Sequence, residues 1–336
     1  MTITNRTLFF ILLTILIIGG GTLSLSKSCT GIIPSSQSAI KISLTTFPGH
    51  VYAFIAQEKK LFTKYGVNVE LILFPNQSSA SFAYESNQAE SLLVPFTDAI
   101  MFTSKGIPST VVYSINYSET ADVIIGRPEF NSLSELNGKT ISFEGFNTFS
   151  HLFVITMLER TGIHEGGFKA VNLESSQVLA ALKSGDIDAG HTYEPYSSRA
   201  IAEGFKVLAK AGDIPNIITD VLVFQAGVVN QRSQEVQGVV NALVEARTWI
   251  DTHPTEAFTI MAQAASTSAT EMEAGFKTLH ALNLTENIEA FQPGGTLFTL
   301  GQTAIDFYNK KGQLRQKPPL DKIIDGQFVS AVRGNY

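Results

Sequence analysis

Six short segments of this chain place ligand-binding side chains next to residues that start helices: Phe47-Pro48-Gly49-His50, Asn76-Gln77-Ser78-Ser79, Phe96-Thr97-Asp98, Asn147-Thr148-Phe149-Ser150, Glu174-Ser175-Ser176 and Tyr193-Glu194-Pro195. Free N–H groups at a helix start, reinforced by the macrodipole, favour an anion such as a sulfonate. Ser, Thr and Asn also occur there simply as caps, so each has a structural use as well. Asp98 and Glu194 have two uses in the same way. Either carboxylate can cap its helix, or accept from a ligand amine, amidine or ring N–H, with Phe47, Phe96, Tyr193 or Tyr196 as an aromatic wall. A carboxylate beside an anion site repels a simple oxyanion and suits a zwitterion such as taurine, or an aminopyrimidine. His50, His151 and His191 fall near the same turns, but their spacing matches no metal-ligand pattern, and hydrogen-bonded histidine is the expectation. Trp249 falls on a helix-period segment and reads as core.

The elements that must position these segments recur. Landmarks return after roughly 98 residues, the signature of an internal repeat. Lys41-Ile42-Ser43-Leu44 returns as Lys139-Thr140-Ile141-Ser142-Phe143, each an apolar strand-like run entering a turn. A helix-period segment then stops at Gly66 or Gly162, where a left-handed residue ends a helix. A second strand follows; Val67, Val69, Leu71 and Leu73 predict one with a strongly buried side. Ser78-Ser79 or Ser175-Ser176 opens a short helix. Asn87-Gln88-Ala89-Glu90 or Gly185-Asp186-Ile187-Asp188 enters a third strand, and a third helix ends at Gly106 or Gly204. Strand, helix, strand with a short return builds parallel sheets with right-handed crossovers. The expected fold class is therefore α/β with two like-built lobes, binding ligand where the carboxyl ends of the strands meet the turns.

Two extended apolar stretches, residues 121–126 and 220–225, read as strands crossing between lobes. Beyond them helices are expected over residues 236–250, 254–265, 269–282 and 296–310, with Pro254 suited to a first turn. Residues 39–121 with 226–336 are expected to form lobe I. Residues 122–225, crossings included, form lobe II.

A chain of 336 residues with 44% hydrophobic content has length for two cored domains. Its net charge of −6 and lack of Lys/Arg runs exclude nucleic acid as a partner. Arg6, the apolar run at residues 8–18 and Gly19-Gly20-Gly21 have the layout of a secretory signal, expected over residues 1–29. The run is short for a membrane span. Cys29, the single cysteine, sits where an exported lipoprotein carries its lipid, although Lys27 and the early Leu25 depart from a lipobox. Lipidation at Cys29, cleavage to a soluble form and retention as an anchor all stay open. One cysteine excludes disulfides, thiolate metal sites and a cysteine nucleophile.

Phe47-Pro48-Gly49-His50, then Lys60-Leu61-Phe62-Thr63-Lys64-Tyr65-Gly66 and Val67-Asn68-Val69-Glu70-Leu71, resemble the opening of the substrate-binding proteins of ABC importers for nitrate, sulfonates, taurine and thiamine precursors. Leu136-Asn137-Gly138-Lys139-Thr140-Ile141, Leu182-Lys183-Ser184-Gly185-Asp186-Ile187-Asp188-Ala189 and Tyr193-Glu194-Pro195-Tyr196 are similar to later segments of that family. Two places depart. Asn87-Gln88-Ala89-Glu90 stands where the family has Gly-Gln-x-Asp, and Glu194-Pro195-Tyr196 falls between the patterns of sulfonate binders and of nitrate and bicarbonate binders. The resemblance implies a type II periplasmic-binding-protein fold, two α/β lobes joined by two hinge strands, with ABC permease and ATPase subunits as partners.

The expected function is an exported solute-binding protein, in the periplasm or at the cell surface, that delivers a sulfonate- or taurine-like or aminopyrimidine-like solute to a permease. The expected ligand residues are Phe47, Pro48, Gly49, His50, Gln77, Ser78, Ser79, Phe96, Thr97, Asp98, Asn147, Thr148, Ser150, Tyr193 and Glu194. No cofactor or metal is expected, and the chain is expected to act as a monomer. A sensory ectodomain with this fold is the alternative. An enzyme resembling thiamine-pyrimidine synthase is disfavoured, because its cysteine-rich iron-associated motif is missing and no Gly-x-Ser-x-Gly elbow, phosphate loop or His-Glu-x-x-His motif replaces it.

Overall fold

Ile40, Ile42 and Leu44 are the apolar residues of the first strand, β1 (Ile40–Thr45), and all three are buried in the computed structural model, which describes residues 38–333. The apolar run at 8–18 and Cys29 lie outside the described residues. β1 pairs in parallel with β2 (Val69–Phe74) on one side and β3 (Ser91–Pro95) on the other. The second copy repeats this arrangement: β6 (Thr140–Phe143) lies between β7 (Lys169–Asn172) and β8 (Ala189–Thr192), again in parallel. Each triplet is then widened by antiparallel strands. β10 (Thr219–Gln225) pairs with β3 and with β4 (Ser109–Ser118), and β5 (Val123–Gly126) pairs with β8 and with β9 (Lys206–Lys210). A short β11 (Leu279–Ala281) closes the outer edge on β4.

The sheet orders are β11-β4-β10-β3-β1-β2 and β7-β6-β8-β5-β9. In each sheet the strand beside the parallel triplet, β10 or β5, is the one the chain enters after leaving the other lobe. Two strands therefore tie two α/β lobes together, the type II periplasmic-binding-protein fold.

The departure at Asn87-Gln88-Ala89-Glu90 has a direct physical account. Asp188 Oδ2 accepts the backbone N–H of Thr140 at 2.9 Å, and Glu90 Oε2 accepts that of Lys41 at the same distance. Both acids satisfy a backbone donor in the first two residues of their lobe's central strand, and the longer side chain serves as well. Asn87 takes a φ of 60° where the second copy has Gly185 at 83°. Asn is the residue that best tolerates that left-handed region after Gly.

Three expectations are corrected. β2 is the edge of its sheet and pairs with β1 alone, so Val69 and Leu71 are only half-buried and Leu73 is 38% exposed. The helix expected over 269–282 stops at Phe276, since Leu279 and Ala281 are needed to pair with the open edge of β4. Residues 220–225, assigned from sequence to lobe II, form β10 inside the lobe I sheet, bonded along its length to β3 and β4. The later helices Ser233–Thr252, Pro254–Ala265 and Thr296–Lys310 pack on helices of the first copy, with Pro254 in the first turn of its helix. Among the described residues no helix is long and apolar enough to cross a membrane.

Candidate functional site

The turns that follow the parallel strands of the two lobes meet. Asp98 Oδ1 accepts the backbone N–H of Phe149 at 2.8 Å, the Tyr308 hydroxyl donates to the Thr148 carbonyl at 2.7 Å, and Ser78 Oγ donates to Glu174 Oε1 at 3.2 Å. The Phe47 and Tyr193 rings touch edge to face at 5.9 Å. Each hydrogen bond contributes about 0.5–1.5 kcal/mol to holding the lobes together.

Within these contacts lies a chamber. Lobe I lines it with Thr45, Phe47, His50, Gln77 and Pro95, lobe II with Asp122, Phe149 and Tyr193, and the second crossing adds Ile218 and Asp220. Its volume is about 20 Å³, room for about one water, so an organic solute can enter only when the lobes part. His50 is 2% exposed; its Nδ1 meets Thr45 Oγ1 at 3.1 Å, and its Nε2 has no hydrogen-bond partner and lies 3.7 Å from Asp220 Oδ2. Asp122 Oδ1 meets His191 Nε2 at 3.1 Å, and its Oδ2 is buried without a partner. Burial and the nearby carboxylates Glu144 and Asp122 push the Tyr193 phenol upward, so it stays a donor.

Behind the chamber, His191 Nδ1 meets Ser150 Oγ at 2.7 Å, completing a row Ser150, His191, Asp122. That is the order of nucleophile, base and orienting carboxylate in a serine hydrolase. Here Ser150 and His191 are wholly buried, and Ser150 Oγ already accepts the Glu144 N–H at 2.9 Å. With no face open to a substrate, the row's effect is to fix Asp122. The tautomer that fits donates from Nε2 to Asp122 and receives the serine hydroxyl on Nδ1.

Two recesses flank the chamber. One of about 310 Å³ is lined by Gln77, Ser78, Asp98, Asn147 and Thr148, with Lys105 and Glu144. Burial pushes Asp98 up to about 7, opposed by the Phe149 N–H and assisted by Asp220. Burial and the neighbouring Glu174 also raise Glu144. The other, of about 150 Å³, holds Pro48 and Glu194 with Arg199 and Glu271. Glu194 accepts from Ser198 Oγ at 2.7 Å and lines this recess, not the chamber that Tyr193 lines. A further recess of about 530 Å³ lies against Tyr117, His280 and Glu286, away from the strand-end turns.

Of the expected residues, Gly49, Ser79, Phe96, Thr97 and Ser150 do not line these spaces. Asn76 and Thr148 cap their helices, accepting from Ser79 N at 2.8 Å and His151 N at 3.4 Å. The helix N-terminus at Phe149, read as an anion site, is filled by Asp98 of the other lobe. Phe96 and Thr97 are buried in lobe I, Phe96 lying against Gly301. Gly49 is closed in by packing: a Cβ there would sit 2.1 Å from Asn116 Nδ2 and 2.9 Å from its Cγ. Gly49→Ala should therefore destabilise by about 1–3 kcal/mol through overpacking. An unchanged urea midpoint would mean that Asn116 swings aside.

Sequence reasoning missed Thr45, Asp122, Phe149 and Asp220. A signal for two of them is visible. Asp122-Val123-Ile124-Ile125 and Asp220-Val221-Leu222-Val223 open the two crossing stretches with the same acid-then-apolar pattern. The three histidines have separate partners, His151 meeting Glu165 at 3.2 Å, and among the described residues no group of acidic, His or Cys side chains is placed to hold a metal.

Solved structures share this fold. The ligand-binding component of an ABC-type import system from Staphylococcus aureus, solved with zinc bound, has a TM-score of 0.74 at 17% identity, covering 88% of this chain and 99% of that one. The periplasmic aliphatic sulphonate-binding protein SsuA from Escherichia coli has a TM-score of 0.71 at 16% identity, covering 90% and 96%. The desulfurization enzyme DszB has a TM-score of 0.66 at 15% identity, covering 88% and 98%, so the fold alone does not separate binding from catalysis. No sequence among the curated proteins matches the chain. Residues 47–257, well over half of the chain, match the family described as NMT1/THI5 like, and the chain belongs to that family.

Proposed function

We propose that this protein is the exported solute-binding protein of an ABC importer, and that the chamber between its lobes holds a small organic solute for delivery to the permease. The observation that carries this is a buried polar and aromatic chamber assembled from both lobes and both crossings, closed by hydrogen bonds between the lobes. In this reading lobe I is residues 39–121 with 219–333 and lobe II is residues 122–218, hinged at the two crossings. From the expected set Phe47, His50, Gln77 and Tyr193 contact ligand, joined by Asp122, Phe149 and Asp220. Binding rather than turnover is supported by the burial of Ser150 and His191. The signal-like layout of residues 1–29 supports export, with Cys29 as the point of attachment if a lipid is added.

A thermal-shift panel tests the proposal: taurine, methanesulfonate, nitrate, bicarbonate and 4-aminopyrimidine. A compound that binds the native state alone raises the melting temperature. At least one is expected to do so, and turnover of a compound without any stabilisation by the panel would favour the enzyme reading.

A further inference from the structure

We infer that Asp122 and Asp220, one at each crossing between the lobes, are the charge-recognition pair of the chamber, and that its ligand is a small flat organic cation with several N–H groups, such as an amidinium. The inference rests on the chamber being the solute site. Charge is the first argument. Both carboxylates and His50 line the chamber, and no Lys or Arg does. The lysine at the neighbouring recess, Lys105, is engaged by Glu85 at 2.8 Å. An anion placed between two carboxylates in a buried site meets repulsion from both with no Lys or Arg to offset it.

Open valence is the second argument. Asp122 is 2% exposed and its Oδ2 has no partner, and the same holds for Nε2 of the equally buried His50. Buried polar atoms are paired in nearly all folded proteins, so an orphan oxygen on a chamber wall marks a place for a donor. Its direction is set from behind: His191, held by Ser150, fixes the other oxygen of Asp122. Shape is the third. The Phe47 and Tyr193 rings stand at 89° to one another and Phe149 lies beside Tyr193, so a flat cation meets π faces as well as carboxylates. A ligand donating to Asp122 and Asp220 together touches both crossings, which favours lobes closed around it over open ones, with the chamber wider than the roughly 20 Å³ it has when empty.

Three probes with one ring and different heads test this on the signal-free protein by calorimetry: benzamidinium, neutral benzamide and benzenesulfonate. Benzamidinium should bind, and Asp122→Asn or Asp220→Asn should each weaken it by about tenfold or more, as expected when a charged acceptor is neutralised. Benzamide should lose much less. If either variant fails to fold, the ranking of the probes on the unmodified protein still decides, with Asp220→Glu as the charge-keeping control. Benzenesulfonate binding more tightly than benzamidinium, or no benzamidinium binding, overturns the ligand class while the solute-binding reading stands on the thermal-shift panel. Full affinity for benzamidinium in both Asn variants overturns the carboxylate pair. Failure of these probes together with a flat panel removes both readings.

Discussion

Replacing His191 with phenylalanine is expected to lower the unfolding free energy by about 3 kcal/mol, the order of loss when a buried charged acceptor is left without its hydrogen-bond donor. The ring is wholly buried and makes two polar contacts, to Asp122 Oδ1 at 3.1 Å and to Ser150 Oγ at 2.7 Å. Phenylalanine fills a similar space, since Phe149 and Phe153 already pack edge-on against this ring, each at 5.6 Å. The loss then comes from charge rather than volume. Asp122 would keep both oxygens buried without a donor, and Ser150 would lose an acceptor for its proton. Replacing Asp122 with leucine in the same background should recover a large part of the loss, because removing both partners is far cheaper than removing one. Urea denaturation of the single and double variants is the measurement. A single-variant loss below about 1 kcal/mol would mean that water or a proton already compensates Asp122.

Between about pH 4 and pH 7 the protein should lose stability through Asp98, and Asp98→Asn should remove that dependence. Burial raises the native carboxyl from 3.8 to about 7. For an acid with a raised native pKa, the native state holds the proton that the unfolded chain releases. The contribution is fully present below the unfolded value and is lost as pH rises through the native one. At about 1.4 kcal/mol per unit, the displacement is worth up to about 4 kcal/mol. Asn can still accept the Phe149 N–H but carries no charge. Melting temperatures of the two proteins, followed from acid to neutral pH, should diverge in favour of the variant and run parallel above pH 7. Parallel curves throughout would show that Asp98 is hydrated or ionised with the lobes closed. Asp98 joins the lobes through Phe149, so scattering that reports opening should follow the same pH window in the unmodified protein.

The two-lobe plan was legible because each copy carries its own local instructions. Glycines stop the helices, Asn76 and Thr148 cap the next ones, and Glu90 and Asp188 occupy equivalent places ahead of the third strands. The strand-end turns were read as the ligand-facing region, and the chamber lies among them. Individual side chains were less legible. Tyr193 and Glu194 are adjacent, yet one faces the chamber and the other faces Ser198. Asp98 was read either as a cap for its own helix or as a ligand acceptor, and its Oδ1 caps a helix 51 positions away in the other lobe.

The sequence by itself determined the repeat, the parallel triplets and the α/β class. These follow from periodicity and capping, which act over a few residues. Only the tertiary structure decided which polar groups share the chamber. The contact of Asp122 with His191 spans 69 positions and that of Tyr308 with Thr148 spans 160. Such pairs are set by how two sheets dock through two crossing strands, so no local pattern around Asp122 or Asp220 specifies the neighbours that place both on the chamber wall.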